Sequence, residues 1–134
     1  MRLLLLLFII PLVLTGCLPK IGLGGGESPK EEYLKGKVVG NFPNIPLYPK
    51  SRVIESYGFN DTFGSSFAID EDLKKVIEFY NNSFPLLGWE FASRQVSNDN
   101  FAYDVKSEKY QGQVVVNTAA DGKQTAITIS LSPR

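Results

Sequence analysis

The sequence contains no histidine and only one cysteine among its 134 residues. The absence of histidine removes the most common general base near neutral pH and the most common metal ligand. A single cysteine excludes an internal disulfide framework and a zinc site built from several thiolates. The chain also lacks an excess of charge, with 14 basic and 14 acidic side chains. We therefore expect no nucleic-acid partner, because such proteins need a basic surface to neutralise phosphates.

Long hydrophobic runs are lacking too, apart from a short one near the N-terminus. The twelve residues 3–14 carry no charge and directly follow Arg2. As a helix, such a run spans about 18 Å, which is short of the roughly 30 Å hydrocarbon core of a bilayer. A basic residue, a short apolar run and then small residues are typical of a secretory signal peptide. We therefore predict a signal peptide over residues 1–16 rather than a transmembrane helix.

The end of this run carries a short motif around the only cysteine. The motif Leu14-Thr15-Gly16-Cys17 resembles the bacterial lipobox, in which an aliphatic residue and two small residues precede an acylated cysteine. The resemblance implies that Cys17 becomes the first residue of the mature chain and carries its lipid anchor. Acyl chains contribute roughly 0.8 kcal/mol per buried methylene group, so two or more of them hold a domain at a membrane. The implied location is the extracytoplasmic side of the cell membrane or the outer membrane.

Residues 17–41 have the composition of a linker. The first part is rich in glycine, and the second part carries mixed charges. The glycine cluster follows no strand and lacks both the dinucleotide-binding pattern and the Gly-Lys-Ser/Thr of a phosphate loop. We predict a flexible tether between Cys17 and the folded part. Within it, residues 31–39 are compatible with either a transient helix or an edge strand.

The composition changes at Phe42, and residues 42–134 are predicted to form a single small domain. They hold fourteen of the sixteen aromatic residues. The segment 42–49 contains three prolines, which exclude a helix and a central strand. We expect it to lie extended across the domain, with Ile45, Leu47 and Tyr48 packed inward.

One helix is predicted, over residues 70–87. Its apolar side chains recur at i, i+3, i+4, i+7, i+11 and i+14 and form a single stripe, which consists of Leu73, Val76, Ile77, Tyr80, Phe84 and Leu87. Asp70 is a suitable N-cap, and Gly88 is placed to end the helix. Pro85 removes a backbone donor and is expected to kink or end the helix near residues 83–84.

Alternating apolar and polar residues predict strands on both sides of the helix. A hairpin of two strands, residues 51–57 and 62–69, precedes it, and about four strands follow from Trp89 onward. The last two strands, residues 113–118 and 124–131, form a hairpin whose turn contains Asp121-Gly122. In the second of them Ile127, Ile129 and Leu131 alternate with polar residues. The simplest fold is α+β, with a single helix packed on one face of an antiparallel sheet of about five or six strands, in the order ββα and then strands.

This domain is similar to a group of small α+β domains common in bacterial lipoproteins. The similar features are Ile45-Pro46-Leu47-Tyr48-Pro49, Phe79-Tyr80 within the helix, and Leu87-Gly88-Trp89 after it. The resemblance covers roughly residues 42–133 and rests mainly on structural positions. It implies that Tyr80 and Trp89 are core residues. It implies no catalytic residue, because that group has no established activity.

Few side chains are candidates for catalysis. No serine lies in a Gly-x-Ser-x-Gly turn, and the lysines at 74–75 lie on the predicted outer face of the helix. The densest acidic group, residues 70–72, is explained by its place at the helix start, where the helix dipole favours negative charge. The acidic residues Asp99, Asp104 and Glu108 are scattered along the chain. We therefore predict no catalytic residue, no metal site and no cofactor, with a small envelope hydrolase that uses carboxylates as the alternative.

Four aromatic residues are not assigned to the core by the strand and helix periods: Tyr57, Phe59, Tyr103 and Tyr110. A few of them could form a platform for a glycan or a peptide, although burial is the simpler expectation. The sequence thus predicts a lipid-anchored, extracytoplasmic lipoprotein that acts as a non-catalytic binding or structural module at the cell envelope. Its expected partners are the membrane, through Cys17, and an envelope protein, peptide or glycan.

Overall fold

The computed structural model describes residues 30–134, which form seven strands and one helix. Their order is β1 (Glu32–Lys35), β2 (Arg52–Phe59), β3 (Thr62–Ile69), α1 (Leu73–Leu86), β4 (Glu90–Ser97), β5 (Asn100–Lys106), β6 (Tyr110–Thr118) and β7 (Thr125–Pro133). These strands form one antiparallel sheet in the spatial order β1-β2-β3-β7-β6-β5-β4. The predicted signal peptide and Cys17 lie outside the described residues. Within residues 30–134, no helix has the length and apolar character needed to cross a membrane.

The predicted combination of one helix with an antiparallel sheet is confirmed for residues 30–134, but the sheet has seven strands rather than five or six. The additional strand is β1. It lies within residues 31–39, for which the sequence is compatible with either a transient helix or an edge strand. Its four residues are too few to show an alternating pattern among the surrounding glycines and charges. The Ser56 hydroxyl helps to hold the chain after β1, because it accepts the Val39 N–H at 2.9 Å and donates to the Lys37 carbonyl at 2.8 Å.

Two hairpin turns follow the local sequence. Asn60 and Asp61 connect β2 to β3 with φ angles of 49° and 57°, the left-handed pair that matches the twist of the flanking strands. Between β6 and β7, the Asp121 carboxylate accepts the backbone N–H groups of Lys123 and Gln124 at 2.9 and 3.0 Å. Both predicted hairpins are therefore confirmed, and β2 and β7 each extend two residues beyond their predicted C-terminal ends.

The helix is shorter at its start than predicted. Asp72 rather than Asp70 is the N-cap residue, and its side chain makes no capping hydrogen bond. The Asp70 carboxylate instead accepts a hydrogen bond from the amide of Gln124. This contact between the helix entrance and the β6–β7 loop is not visible from local sequence.

At the C-terminal end of the helix, the predicted role of Gly88 in ending the helix is confirmed, whereas the predicted end near residues 83–84, caused by Pro85, is wrong. Pro85 lies in the last turn and the helix continues through Leu86. Gly88, at φ 77°, donates its N–H to the Pro85 carbonyl at 3.2 Å, and Trp89 donates to the Phe84 carbonyl at 3.0 Å. This pair of bonds is the Schellman arrangement, which satisfies carbonyls that the helix end leaves free.

The core lies where the side chains of α1 meet the sheet. Tyr80 and Phe84 are fully buried, and the Phe84 ring lies 5.4 Å from Phe91 of β4 and 5.2 Å from Tyr103 of β5. The Tyr103 hydroxyl donates to the Ile77 carbonyl of the helix at 3.0 Å. We call the side of the sheet that carries Tyr103 the helix face and the opposite side the open face.

The proline-rich segment packs against the domain, but not as predicted throughout. Ile45 is buried and the Tyr48 ring lies 4.9 Å from Phe79, whereas Leu47 is 38% exposed. The predicted burial of Leu47 is therefore wrong. A tight turn, in which the Ile45 N–H donates to the Pro43 carbonyl at 2.8 Å, interrupts the extended course that was predicted for this segment.

Candidate functional site

The open face carries a row of side chains that crosses the whole sheet. Residues paired in register share a face, so the row follows directly from the strand pairing. From β1 to β4 it consists of Tyr33, Tyr57, Gly64, Ser130, Gln113, Asp104 and Ala92. We call it the open-face row. With strands about 4.8 Å apart, the part from β2 to β5 spans about 19 Å.

Aromatic rings occupy the β1–β2 end of the open-face row. A Cβ atom on Gly64 would overlap the ring of Tyr57, so this ring lies directly over the β3 backbone. Tyr57 is nevertheless 43% exposed, which shows that the ring is also open to solvent. Only glycine at position 64 leaves this space, and the ring is therefore supported by the sheet from below.

Tyr33 lies opposite Tyr57 on the neighbouring strand. Its hydroxyl donates to Glu55 Oε2 at 2.6 Å, and this hydrogen bond raises the pKa of the Tyr33 phenol above its usual value. The two tyrosines place an apolar surface and a polar rim side by side. Tyr33 is not among the candidates predicted from the sequence, because it lies in the segment assigned to the tether.

Polar groups occupy the other end of the row. The Gln113 side-chain amide donates to Asp104 Oδ1 at 3.0 Å, and Arg94 Nη1 lies 3.5 Å from Asp104 Oδ2. Both carboxylate oxygens of Asp104 therefore face a donor. An exposed pair of this kind contributes at most about 1 kcal/mol to stability, so its main effect is to orient the side chains.

Two shallow depressions lie along the open-face row. One, of about 430 Å³, extends from Tyr57 past Ser130 and Gln113 to Asp104. The other, of about 570 Å³, is lined by Asp104 and by side chains next to the sheet edge, including Glu90, Ala92 and Lys106. Because Asp104 lines both, the depressions adjoin. Their size is within the range of small-molecule sites, and they combine an aromatic surface with a few hydrogen-bonding groups.

The four aromatic residues left open by the sequence are divided between the surface and the core. Tyr57 and Phe59 are exposed, as a platform requires. Tyr103 is fully buried in the core, where burial raises the pKa of its phenol. Tyr110 is half-buried, with its ring edge-on to Phe63 at 5.8 Å. The platform alternative is thus wrong for Tyr103, whose strand position faces the helix.

The predicted candidate carboxylates are not gathered into one site. At the helix start, Glu71 pairs with Lys75 Nζ at 2.8 Å. Asp99 and Glu108 lie in the turns that flank β5, apart from Asp104 on the open face. No group of three or more histidine, cysteine, aspartate or glutamate side chains is arranged to hold a metal ion within the part of the chain that the structure describes.

A separate cavity of about 450 Å³ lies beside the helix start. Tyr48, Ile69 and Phe79 form its apolar part, with Lys50 and Glu71 at its rim. Lys50 has a φ angle of 61°, a left-handed conformation that is uncommon for a residue with a side chain. Glu71 at this rim is already paired with Lys75. The open-face row, in which Tyr33 and Tyr57 are both exposed, is therefore a stronger candidate for a binding surface than this cavity.

Neither a protein-family model, nor a curated protein, nor a solved structure matches this chain.

Proposed function

We propose that the protein is a lipid-anchored lipoprotein on the extracytoplasmic side of a bacterial membrane, and that its domain is a non-catalytic binding module. The open-face row is the proposed binding surface. The observation that carries this proposal is the Tyr57 ring lying over Gly64. A ring supported from below and open above gives a ligand a rigid apolar contact, and an aromatic side chain loses little entropy on binding.

The two ends of the row favour a ligand with both apolar and hydrogen-bonding parts. The tyrosine end supplies flat apolar surface, and the end with Gln113 and Asp104 supplies an oriented donor and acceptor pair. A stretch of about 19 Å accommodates an extended ligand rather than a single small molecule. A glycan or a peptide of the cell envelope has these properties.

The sequence supports the anchor. The lipobox-like motif ends at Cys17 and directly follows the apolar run of residues 3–14. Fourteen residues, 18–31, separate Cys17 from β1, and they can span at most about 50 Å even when fully extended. Ligand binding on the open face would therefore take place close to the membrane surface.

The anchor is tested by the substitution Cys17→Ser in the full-length chain expressed in a bacterial host. The wild-type protein is expected in the membrane fraction, with a diacylglyceryl group on Cys17 by mass spectrometry. The variant is expected to be released from the membrane or to keep an uncut signal peptide. A variant that is processed and membrane-bound like the wild type would show that Cys17 is not the anchor.

The binding surface is tested by site-specific photo-crosslinking in native membranes. A photoreactive amino acid at Thr128, which is exposed on the open face, is compared with one at Lys74 on the exposed side of α1. We expect specific adducts at position 128 only. Tyr57→Ala should reduce them, whereas Tyr57→Phe, which keeps the ring, should not. Equal adducts at both positions, or no effect of Tyr57→Ala, would contradict the assignment of the open face.

A further inference from the structure

Strand β4 forms one edge of the sheet, and its outer side is unpaired within residues 30–134. The strand is eight residues long, and every side chain except that of Phe91 is exposed. An exposed edge of this length presents unpaired backbone N–H and C=O groups that can pair with another strand. The register with β5 is regular from Glu90 to Gln95, and an irregularity follows before Ser97.

The hydrogen bonds next to β4 show which of its backbone groups point outward. Between β5 and β6, the Ser107 N–H donates to the Tyr110 carbonyl, and the Thr118 N–H donates to the Asp99 carbonyl. Odd-numbered residues of β5 therefore bond to β6. Since the direction alternates along a strand, the even-numbered residues of β5 bond to β4.

The same alternation then applies to β4. Its even-numbered residues pair with the even-numbered residues of β5, as Ala92 does with Asp104, and so bond inward. Phe91, Ser93 and Gln95 consequently direct their N–H and C=O groups to the free edge. Any strand added to this edge must bond to these three residues.

We infer that a second copy of this chain pairs with the edge, β4 against β4 in antiparallel orientation, about a two-fold axis at Ala92. In this register Phe91 of each copy exchanges backbone hydrogen bonds with Ser93 of the other copy. Glu90 of each copy likewise lies opposite Arg94 of the other copy, so the two-fold axis produces each pair twice. These two residues are both on the open face and form non-hydrogen-bonded pairs, in which side chains approach most closely.

The charges select this register over its neighbours. An axis at Glu90 would place two glutamates opposite each other, and an axis at Arg94 would place two arginines opposite each other. Within its own chain, Glu90 lies opposite Lys106 of β5 and Arg94 is paired with Asp104, and axes at Phe91 or Ser93 would give neither charge an oppositely charged partner from the second copy. Like charges directly opposite in a sheet are destabilising, whereas opposite charges are favourable. Of these registers, the axis at Ala92 is therefore the one that places an opposite charge of the second copy beside both Glu90 and Arg94.

Two other features of the edge agree with this pairing. Val96 of β4 is 57% exposed and Leu86, at the end of the preceding helix, is 82% exposed, so large apolar side chains lie on or near the edge. The depression of about 570 Å³ is lined in part by Glu90 and Ala92 of this edge strand. Pairing would add Arg94 of the second copy to it and would join two open faces into one continuous surface.

Cysteine crosslinking tests the register in the full-length protein. Cα atoms in a non-hydrogen-bonded antiparallel pair are about 4.5 Å apart, within the range that a disulfide bridges. Under mild oxidation, Ala92→Cys is expected to give a covalent dimer at a level well above that of the wild-type protein, in which Cys17 is the only cysteine. Glu90→Cys and Arg94→Cys alone should stay near background, but the double variant with both changes should crosslink. Equal crosslinking of all single variants, or none for Ala92→Cys, would overturn the proposal.

Charge exchange provides a second test, with the mass in solution measured by light scattering. Arg94→Glu or Glu90→Arg should each weaken the dimer on the order of tenfold, because each creates two pairs of like charges. The double exchange Glu90→Arg with Arg94→Glu should restore part of the dimer affinity, because it re-forms both opposite-charge pairs between the copies while placing like charges beside Lys106 and Asp104 within each chain. Lys74→Glu, which changes the same charge on the exposed side of the helix, should have no effect. A double exchange as weak as either single variant would contradict the pairing of Glu90 with Arg94.

Discussion

The two faces of the sheet are made from the same strands, yet they use their aromatic residues in opposite ways. On the helix face, Tyr103 is fully buried against Tyr80 and Phe84. On the open face, Tyr57 lies over a glycine and stays exposed. An aromatic ring that packs over a glycine of the neighbouring strand, as Tyr57 does over Gly64, can thus be held in place without a hydrophobic core around it. The stability of the domain should therefore depend mainly on the helix face, and ligand binding should depend on the open face.

The two edges of the sheet differ in a similar way. β1 has only four residues and is followed by Gly36, which has a φ angle of 70°. β4 has eight residues, of which Glu90 to Gln95 are regularly paired. Short edge strands are one means by which proteins avoid association, and β1 fits that description. β4 does not, and it carries charges that can complement those of a second copy.

The largest change in the free energy of unfolding is expected at alkaline pH, and it arises from two tyrosines on the helix face. Burial raises the pKa values of the Tyr80 and Tyr103 phenols, so the folded state favours their protonated forms. Their contribution to stability is complete below the unfolded pKa of about 10 and is lost as pH rises toward the folded values. Above about pH 10, the free energy of unfolding should fall by about 1.4 kcal/mol per pH unit for each group.

This dependence is measured by urea unfolding at a series of alkaline pH values. Tyr80→Phe is the matched variant, because the Tyr80 hydroxyl has no hydrogen-bond partner among the described residues. Because Tyr80→Phe removes one of the two buried phenols, it should reduce the slope of unfolding free energy against pH by about 1.4 kcal/mol per pH unit. A variant with the same slope as the wild type would mean that Tyr80 is not buried in its protonated form.

A cavity on the helix face should have the next largest effect. Trp89 is buried and its indole N–H donates to the Asn44 carbonyl at 2.9 Å. Trp89→Ala should lower the free energy of unfolding by about 3–5 kcal/mol, which thermal unfolding will show as a lower melting temperature. Leu86→Ala, at an exposed position, should change it by less than about 0.5 kcal/mol. An unchanged melting temperature for Trp89→Ala would place Trp89 outside the core.

The open face should show the smallest effect on stability. Gly64→Ala forces the Tyr57 ring to move, and we expect a loss of about 1 kcal/mol. The double variant Gly64→Ala with Tyr57→Ala removes the overlap and should be more stable than Gly64→Ala alone. Chemical unfolding of the four proteins in this cycle gives the interaction between the two positions. Additive effects of the two substitutions would contradict the contact of the Tyr57 ring with Gly64.

Local patterns predicted most of the elements of the fold. The stripe containing Val76, Tyr80 and Phe84 identified the helix, and all three side chains are fully buried. The alternation of Ile127, Ile129 and Leu131 identified β7, and these side chains are buried as well. In such segments the period alone determines which side faces the core, so no knowledge of distant residues is needed.

Features that depend on distant residues were not predicted. β1 is stabilised by pairing with β2 and by Ser56, and neither is visible in its four residues. Asp70 contacts Gln124, 54 residues away, and the N-cap falls at Asp72 instead. The contact between Tyr57 and Gly64 depends on strand register, which the sequence of a single strand does not determine. The candidate site is therefore mostly a product of the sheet rather than of any motif.

Tyrosine labelling tests the division between the two faces most directly. The intact, folded protein is treated with a limiting amount of a tyrosine-specific nitrating reagent, digested, and analysed by mass spectrometry. We predict rapid modification of Tyr33 and Tyr57 and protection of Tyr80 and Tyr103. Modification of Tyr80 or Tyr103 as fast as that of Tyr57 in the folded protein would contradict the separation of a buried helix face from an open face available for binding.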